Sequence, residues 1–285
     1  LRECGSLAGP LSGEAARQLG LAAGTPVFTG AMDQTAAALA AGSGSGVITE
    51  TTGTALVAAA VTDVLRFPAG HPVTLYRHAV KGQYVYLPIG NTAGMALRWF
   101  RDQFCPDLPA GGAGYAALDA MAAAVPPGCE GLVFLPYLSG CVDPEPCPQA
   151  RAVFFGATLA HTRAHFARAV LESTAFVLAD FLEMLAALGC PCRELRSLGG
   201  GAGSALWQQI KADVCGRTLT VPACREATAQ GAAILAGRGC GMMAPDYLPA
   251  APPSARYTPD PAGAAPYARA RELARELYAA VRPLY

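Results

Sequence analysis

One short stretch, residues 26–54, constrains the fold more than any other part of the chain. Residues 27–29 are β-branched or aromatic, and they predict a short buried strand that ends at Gly30. The Ala-rich run 34–41 then predicts a helix, and Asp33 lies at the junction. A carboxylate there could cap the helix, because free N–H groups and the helix dipole favour it. A functional carboxylate at the end of a strand is the alternative.

The second half of this stretch predicts a β-hairpin. Residues 47–50 and 55–61 form two apolar and β-branched runs, and Thr51-Thr52-Gly53-Thr54 lies between them. The hydroxyls and exposed backbone N–H groups of such a turn suit a phosphate group. An ordinary hairpin turn with threonines on its strands is the alternative.

A second glycine-rich segment lies near residue 200. Residues 194–198 predict a strand, Gly199-Gly200-Gly201-Ala202-Gly203-Ser204 follows, and residues 205–215 predict a helix. Glycines in such a loop let the backbone approach a planar or anionic ligand closely. The loop matches neither the Gly-x-Gly-x-x-Gly dinucleotide motif nor the Gly-Lys-Ser/Thr phosphate loop.

Three further helices are predicted. Asn91 could cap a helix over 95–104 that opens at Gly94, on which Arg98 is expected to face solvent. An Ala-rich helix covers 113–125, and a long amphipathic helix covers 161–188. The histidines at its start, His161 and His165, lie one turn apart, which could suit zinc. No third ligand has a suitable spacing, so capping and packing are the favoured interpretation.

Composition and charge exclude several classes of protein. Lys+Arg and Asp+Glu balance at 21 each, so no overall field favours nucleic acid or an anionic membrane. The longest apolar runs are too short for a membrane span. The ten cysteines are irregularly spaced, which predicts free thiols in a reducing cytoplasm and no metal site.

In order and spacing, Gly30-Ala31-Met32-Asp33-Gln34 and Thr52-Gly53-Thr54 resemble the FGGY family of carbohydrate kinases, and within it pentulose kinases such as xylulokinase. Residues 156–172, 199–204 and 212–233 are also similar to blocks of that family. The resemblance implies an α/β fold of the actin/hexokinase-like (ribonuclease H-like) type, with a mixed sheet flanked by helices. Where the family often has Gly-Glu-Arg, this chain has Gly140-Cys141-Val142, which puts in doubt a charged role at that loop.

The same resemblance implies transfer of the γ-phosphate of ATP, with Mg²⁺, to a hydroxyl of a small sugar such as a pentulose, or of a related sugar or polyol. Asp33 would be the catalytic base and would contact the sugar together with Gln34. A homodimer is one expected assembly. The residues implied to bind the nucleotide are Thr52, Gly53, Thr54, Gly94, Gly199, Gly200, Gly201, Ala202 and Ser204.

The domain organisation also follows from the resemblance. Residues 1–44 would be the last strand and connecting helix of an amino-terminal kinase domain, and residues 45–285 a carboxy-terminal nucleotide-binding domain. The Gly/Ser run 42–46 has the composition of a hinge at this boundary. The family's amino-terminal Asp-x-Gly-Thr motif is absent from this sequence. We therefore expect this chain alone to be inactive as a kinase. A non-catalytic nucleotide-binding module, or a structural or regulatory remnant, is the alternative.

Overall fold

A computed structural model describes residues 2–67, 73–224, 226–249 and 252–285 of the chain. Its helices are α1 (Gly13–Leu19), α2 (Asp33–Ala40), α3 (Gly94–Phe104), α4 (Gly112–Ala123), α5 (Arg163–Ala187), α6 (Ala205–Cys215), α7 (Ala227–Gly239) and α8 (Pro261–Val281). Its strands are β1 (Leu7–Pro10), β2 (Pro26–Phe28), β3 (Val47–Thr52), β4 (Leu56–Thr62), β5 (Leu75–Arg77), β6 (Tyr84–Tyr86), β7 (Ile89–Gly90), β8 (Val133–Leu135), β9 (Val153–Phe155), β10 (Glu194–Leu198), β11 (Thr218–Pro222) and β12 (Pro253–Tyr257).

A mixed eight-stranded sheet forms the centre of the molecule, in the order β12-β11-β10-β3-β4-β6-β5, with β7 beside β4. Strand β10 runs parallel to both β3 and β11, and the other pairs are antiparallel. The parallel register places Ser197 beside Glu50 and Leu198 beside Thr51. The hairpin turn after β3 and the glycine-rich loop after β10 therefore leave the same edge of the sheet side by side.

Helices cover both faces of this sheet, as the sequence predicts. On one face, Phe181 and Leu185 of α5 pack against Ile48 and Leu195 of the strands, and α6 lies beside α5. On the other face, α2 and α7 pack against each other and against Leu198. Two smaller antiparallel pairs, β1 with β2 and β8 with β9, lie outside this sheet. The expected α/β fold with a mixed sheet flanked by helices is confirmed.

The contact between α2 and α7 depends on a glycine. A Cβ atom added at Gly231 of α7 would overlap the carbonyl oxygen of Ala36 on α2. Residues Thr35 to Ala40 of α2 are buried, so the small residues of this Ala-rich run are needed for the two helices to approach closely. This contact places the amino terminus of α2, and with it Asp33, beside the start of α7.

The structure corrects two local predictions and decides one alternative. Strand β2 is not buried: Val27 is 39% exposed, and the strand pairs only with β1 among the described residues. Asn91 does not cap α3, because its side-chain amide donates to the carbonyl of Ser139 at 3.0 Å. Asp33 is the first helical residue of α2 and not its cap, a position that Met32 occupies without a side-chain hydrogen bond.

Other predictions agree with the structure to within a few residues. The long helix begins after Thr162, whose backbone N–H donates to Nδ1 of His165 at 3.1 Å in a capping box. His161 instead accepts from the backbone N–H of Thr158 at 2.8 Å. Capping therefore accounts for His165. None of the helices among the described residues is both long enough and apolar enough to cross a membrane.

Candidate functional site

A cavity of about 460 Å³ opens where the hairpin turn and the glycine-rich loop meet. It lies at the edge of the sheet where β3 and β10 end and where α3 and α6 begin. Seven of the nine residues predicted to bind a nucleotide line it: Thr52, Gly53, Thr54, Gly94, Gly200, Gly201 and Ser204. The other two, Gly199 and Ala202, line an adjoining cavity of about 550 Å³ together with Gln34 and Thr228.

The first wall of the cavity is the turn between β3 and β4, which is joined to the start of α3. The N–H of Gly94 donates to the carbonyl of Gly53 at 2.9 Å, and the N–H of Met95 donates to that of Thr54 at 3.2 Å. A Cβ atom at Gly94 would overlap the Gly53 carbonyl, so glycine is required for this approach. Gly53 and Thr54 are exposed to the cavity, and they present the groups that a ligand can reach.

The second wall is the glycine-rich loop, which rests directly on Thr52. A Cβ atom at Gly201 would lie 2.7 Å from the Thr52 side chain, and one at Gly199 would lie 3.0 Å from the Thr52 carbonyl oxygen. Gly199 also has a φ of +78°, in the left-handed region that favours glycine. Ser204 caps α6, because its hydroxyl accepts from the N–H of Trp207 at 3.1 Å. The sequence of this loop is thus adapted to close packing against the turn.

A buried polar network lies behind the turn. Lys211 and Glu50 are both 0% exposed, and the Lys211 Nζ lies 2.8 Å from Glu50 Oε1. The same Nζ donates to the Thr52 hydroxyl at 2.7 Å, and that hydroxyl donates to Glu50 Oε2 at 2.7 Å. Ser197 donates to Glu50 Oε1. The Thr52 hydroxyl is therefore engaged inside the protein, and the residue as a whole is only 1% exposed.

The far end of the cavity was not predicted from the sequence. Tyr115 and Asp119 project from α4, one turn apart, and Trp207 and Arg98 complete this end. One carboxylate oxygen of Asp119 is buried without a hydrogen-bond partner among the described residues. Burial raises the pKa of this carboxyl above its ordinary value, and a hydrogen bond with Ser204 opposes the change. The i, i+4 spacing of Tyr115 and Asp119 was the only available signal, and ordinary surface helices share it.

Asp33 lies outside both cavities. Its side chain is exposed, and Oδ1 accepts from the N–H of Gln34 at 2.7 Å. Its carbonyl oxygen accepts from the Thr228 hydroxyl at 3.4 Å, which ties the start of α2 to α7. Gln34 lines the adjoining cavity together with Gly199 and Ala202 of the glycine-rich loop, and neither Asp33 nor Gln34 lines the 460 Å³ cavity.

Among the described residues, no group of three or more His, Cys, Asp or Glu side chains is arranged to hold a metal ion. The acidic residue nearest the turn, Glu50, is fully buried and paired with Lys211. The described part of the chain therefore offers no cluster of acidic side chains for a magnesium ion at this cavity. A magnesium ion here would be coordinated by phosphate oxygens and water, as is common for this ion.

Comparison with known proteins identifies relatives of this chain. Residues 37–240 match the carboxy-terminal domain of the FGGY family of carbohydrate kinases. An autoinducer-2 kinase of Salmonella paratyphi A is 34% identical over 100% of this chain and 56% of its own length. A xylulose kinase of Staphylococcus epidermidis is 30% identical over 84% of this chain and 47% of its own length.

A solved structure of a related protein has the same fold. The crystal structure of xylulose kinase from Rhodospirillum rubrum superposes with a TM-score of 0.85 at 34% identity, covering 99% of this chain and 57% of that one. The chain spans about half the length of the curated relatives that it matches.

Proposed function

The chain belongs to the FGGY family of carbohydrate kinases, and from this we propose that it forms the nucleotide-binding half of an ATP-dependent kinase for a small sugar. The observation that carries the proposal is the convergence of three separate glycine segments, Gly53, Gly94 and Gly200–Gly201, on one cavity. A cavity walled by backbone at a helix start suits an anionic, planar ligand such as ATP.

The proposed roles follow from the geometry of the walls. Gly53 and Thr54 are exposed and would contact the phosphates, and the end formed by Tyr115, Asp119 and Trp207 would receive the nucleoside. Since catalysis of phosphoryl transfer consists largely of positioning and electrostatic stabilisation, the chain contributes mainly by fixing the nucleotide. Magnesium would neutralise charge on the phosphates when bound.

Asp33 would be the catalytic base. Its carboxylate is exposed at the amino terminus of α2, where the helix dipole favours the ionised form. An ionised carboxylate next to a sugar hydroxyl can orient it and accept its proton as the phosphoryl group arrives. The acceptor is proposed to be a pentulose such as xylulose, or a related sugar or polyol, because one relative is named as a xylulose kinase.

Residues 1–44 are proposed to belong to an amino-terminal kinase domain and residues 45–285 to the nucleotide-binding domain. We expect this chain alone to bind nucleotide without phosphorylating sugar. A non-catalytic nucleotide-binding module is the competing proposal, because the chain spans only about half of its relatives. The proposed compartment is the cytoplasm, because all ten cysteines are free thiols. A homodimer is the proposed assembly.

Calorimetry with Mg-ATP tests the nucleotide site. We expect binding of modest affinity, because the phosphate-binding loop of an amino-terminal domain is not present in the sequence. Gly94→Ala should abolish binding, since its Cβ would overlap the Gly53 carbonyl and separate the turn from α3. Gly44→Ala is the control, because nothing lies within 4 Å of a Cβ at that position.

Two outcomes separate the proposals. Absence of both heat and a thermal shift at millimolar Mg-ATP would contradict a nucleotide site in this chain. Turnover of sugar and ATP by a protein that joins this chain to an amino-terminal kinase domain would distinguish the enzyme from the non-catalytic module.

A further inference from the structure

Two fully buried charges lie behind the cavity, and the proposed chemistry does not use them directly. Glu50 extends from the middle of the sheet on β3, and Lys211 reaches it from α6, 161 residues further along the chain. A buried ion pair generally stabilises a fold no better than apolar side chains of the same size. Stability alone therefore gives no reason for placing these charges beside the turn.

The partners of the pair indicate what it does. Three side chains share the two carboxylate oxygens of Glu50: Lys211, Thr52 and Ser197. Thr52 ends β3 and leads into the phosphate turn, while Ser197 lies on β10, two residues before the glycine-rich loop. Lys211 belongs to the helix that this loop enters. The Glu50 carboxylate thus connects β3 with β10 and, through Lys211, with α6. These three elements carry the two walls of the cavity.

Thr52 is also the surface on which the loop rests. Its hydroxyl donates to Glu50 and accepts from Lys211, so its side chain is held in one orientation. Gly201 packs against this side chain so closely that a Cβ would lie at 2.7 Å from it. Gln208 lies three residues before Lys211 on α6, and its side-chain amide donates to the Gly201 carbonyl at 2.8 Å. Rotation of the Thr52 side chain would therefore displace the loop from the turn.

From these contacts we propose that Glu50 and Lys211 are positioning residues, which hold the phosphate turn and the glycine-rich loop in register through Thr52. The pair touches no ligand. It sets the separation of the two walls, and so determines how well the phosphate end of a nucleotide is bound. The part of this inference that concerns nucleotides rests on the proposed function, while the part that concerns the two walls does not.

The test uses a pair of matched double variants of this chain. Lys211→Met with Glu50→Gln removes both charges at once, so no unpaired charge is left buried. The control is Arg168→Met with Glu172→Gln, which removes a second buried ion pair, at 2.7 Å and with side chains 6% and 1% exposed. That pair contacts Tyr267, Ala122 and Gly128 and none of the residues that line the cavity.

Hydrogen exchange gives the first readout, on peptides that cover residues 50–56 and 198–204. We expect exchange in both segments to be faster by roughly tenfold or more in the Lys211 double variant, the scale of one lost buried hydrogen bond. The Arg168 double variant should leave both segments unchanged. Equal exchange in the two double variants would overturn the inference, because a purely structural pair would not act on these segments selectively.

Nucleotide binding gives the second readout. The Kd of Mg-ATP should rise by about tenfold in the Lys211 double variant and stay unchanged in the Arg168 double variant. Because the Lys211 Nζ also lies 5.1 Å from the ring centroid of Trp207, adenosine is compared with Mg-ATP in the single variant Thr52→Val, in which the Kd of Mg-ATP should rise and the Kd of adenosine should change by less than about twofold. Equal weakening of both ligands would overturn the inference. If the unaltered chain binds neither ligand, the proposed function fails, and hydrogen exchange alone still decides whether the pair positions the walls.

Thr52→Val is a second variant, which keeps the inference testable if the double variant does not fold. This substitution preserves the shape of the side chain and the ion pair, and it removes only the hydroxyl that links them to the turn. Faster exchange over residues 50–56 in Thr52→Val supports the inference even if the double variant unfolds. Unchanged exchange in Thr52→Val overturns it.

Discussion

The sequence predicts that the Thr52 hydroxyl contacts a phosphate, but in the structure this hydroxyl has a different role. A threonine beside a glycine in a hairpin turn predicts a polar group facing a ligand, yet this hydroxyl is buried against Glu50 and Lys211. Its partners lie on the same strand and on a helix 159 residues away. Local patterns contain no information about such a distant partner, so the sequence predicts the turn but not which of its groups remain free.

Asp33 provides the first test at this scale. Asp33→Asn, in a protein that joins this chain to an amino-terminal kinase domain, should slow sugar phosphorylation by roughly 10²–10⁴-fold, the usual effect of removing a general base. Melting temperature and Mg-ATP affinity should change little, because the side chain is exposed and lies outside the 460 Å³ cavity. Measurement of kcat and melting temperature on the same variant checks both expectations. Full activity would refute the catalytic role.

The second prediction concerns His78 and the dependence of stability on pH. Burial lowers its pKa from the ordinary 6.5 to about 4, with a smaller contribution from the positive charge of Arg238, while a hydrogen bond with Gln83 opposes the change. The unfolded chain therefore binds more protons than the folded chain between these two values. Stability should fall as pH decreases from 6.5 towards 4, by about 3 kcal/mol at most, and this residue should cause no further loss below pH 4.

The measurement is urea denaturation at several pH values, with His78→Gln as the comparison. The difference between the two proteins isolates this histidine from the carboxyl groups that titrate in the same range. A histidine NMR signal of His78 that titrates with a midpoint near 6.5 would contradict the prediction.

At the scale of elements, prediction succeeded where the pattern extended over many residues. The 25-residue helix α5 has apolar residues at three- and four-residue steps, and it appears within two residues of the predicted bounds. The loop from Gly199 to Ser204 also lies between the predicted strand and helix. Strand β2 shows where such prediction fails. A run of three apolar residues has the same composition in a central strand as in an exposed one, and here β2 belongs to an exposed two-stranded pair.

The packing of α2 on α7 gives a prediction for these elements. Gly231→Ala should destabilise the protein by about 1–3 kcal/mol, because the added methyl group would overlap the Ala36 carbonyl and separate the helices. The free energy of unfolding in urea measures the effect. Gly13→Ala in α1 is the matched control, since a Cβ there meets nothing within 4 Å. Equal stability of the two variants would show that the helices can move apart without cost.

For the whole molecule, family membership could be inferred from motifs, but the end of the cavity formed by Tyr115 and Asp119 could not. Tyr115 and Asp119 lie in an Ala-rich helix of ordinary composition, and only the tertiary fold brings α4 opposite the glycine-rich loop. Whole-sequence properties such as net charge exclude classes of partner without locating any site.

The cysteines give a prediction at this scale. All ten are free thiols. Burial is the largest cause of a raised thiol pKa in six of them, which makes these six poor nucleophiles at neutral pH: Cys105, Cys129, Cys141, Cys190, Cys192 and Cys215. Thiol titration of the denatured, unreduced protein should find nearly all ten. Several disulfides would contradict the proposed compartment, and stoichiometric zinc by elemental analysis would contradict the expectation of metal-free thiols.

The cavity takes its walls from four segments that are distant in the chain: 52–54, 94–98, 112–119 and 200–207. No partial fold that lacks one of these segments can hold a ligand, so binding requires the completed tertiary structure. A ligand that binds only the native state lowers the population of every opened form that has lost the cavity by the same factor. Saturating nucleotide should therefore slow proteolytic cleavage at sites remote from the cavity, provided that cleavage requires global unfolding, and a single cut between these segments that lets them separate would eliminate binding altogether.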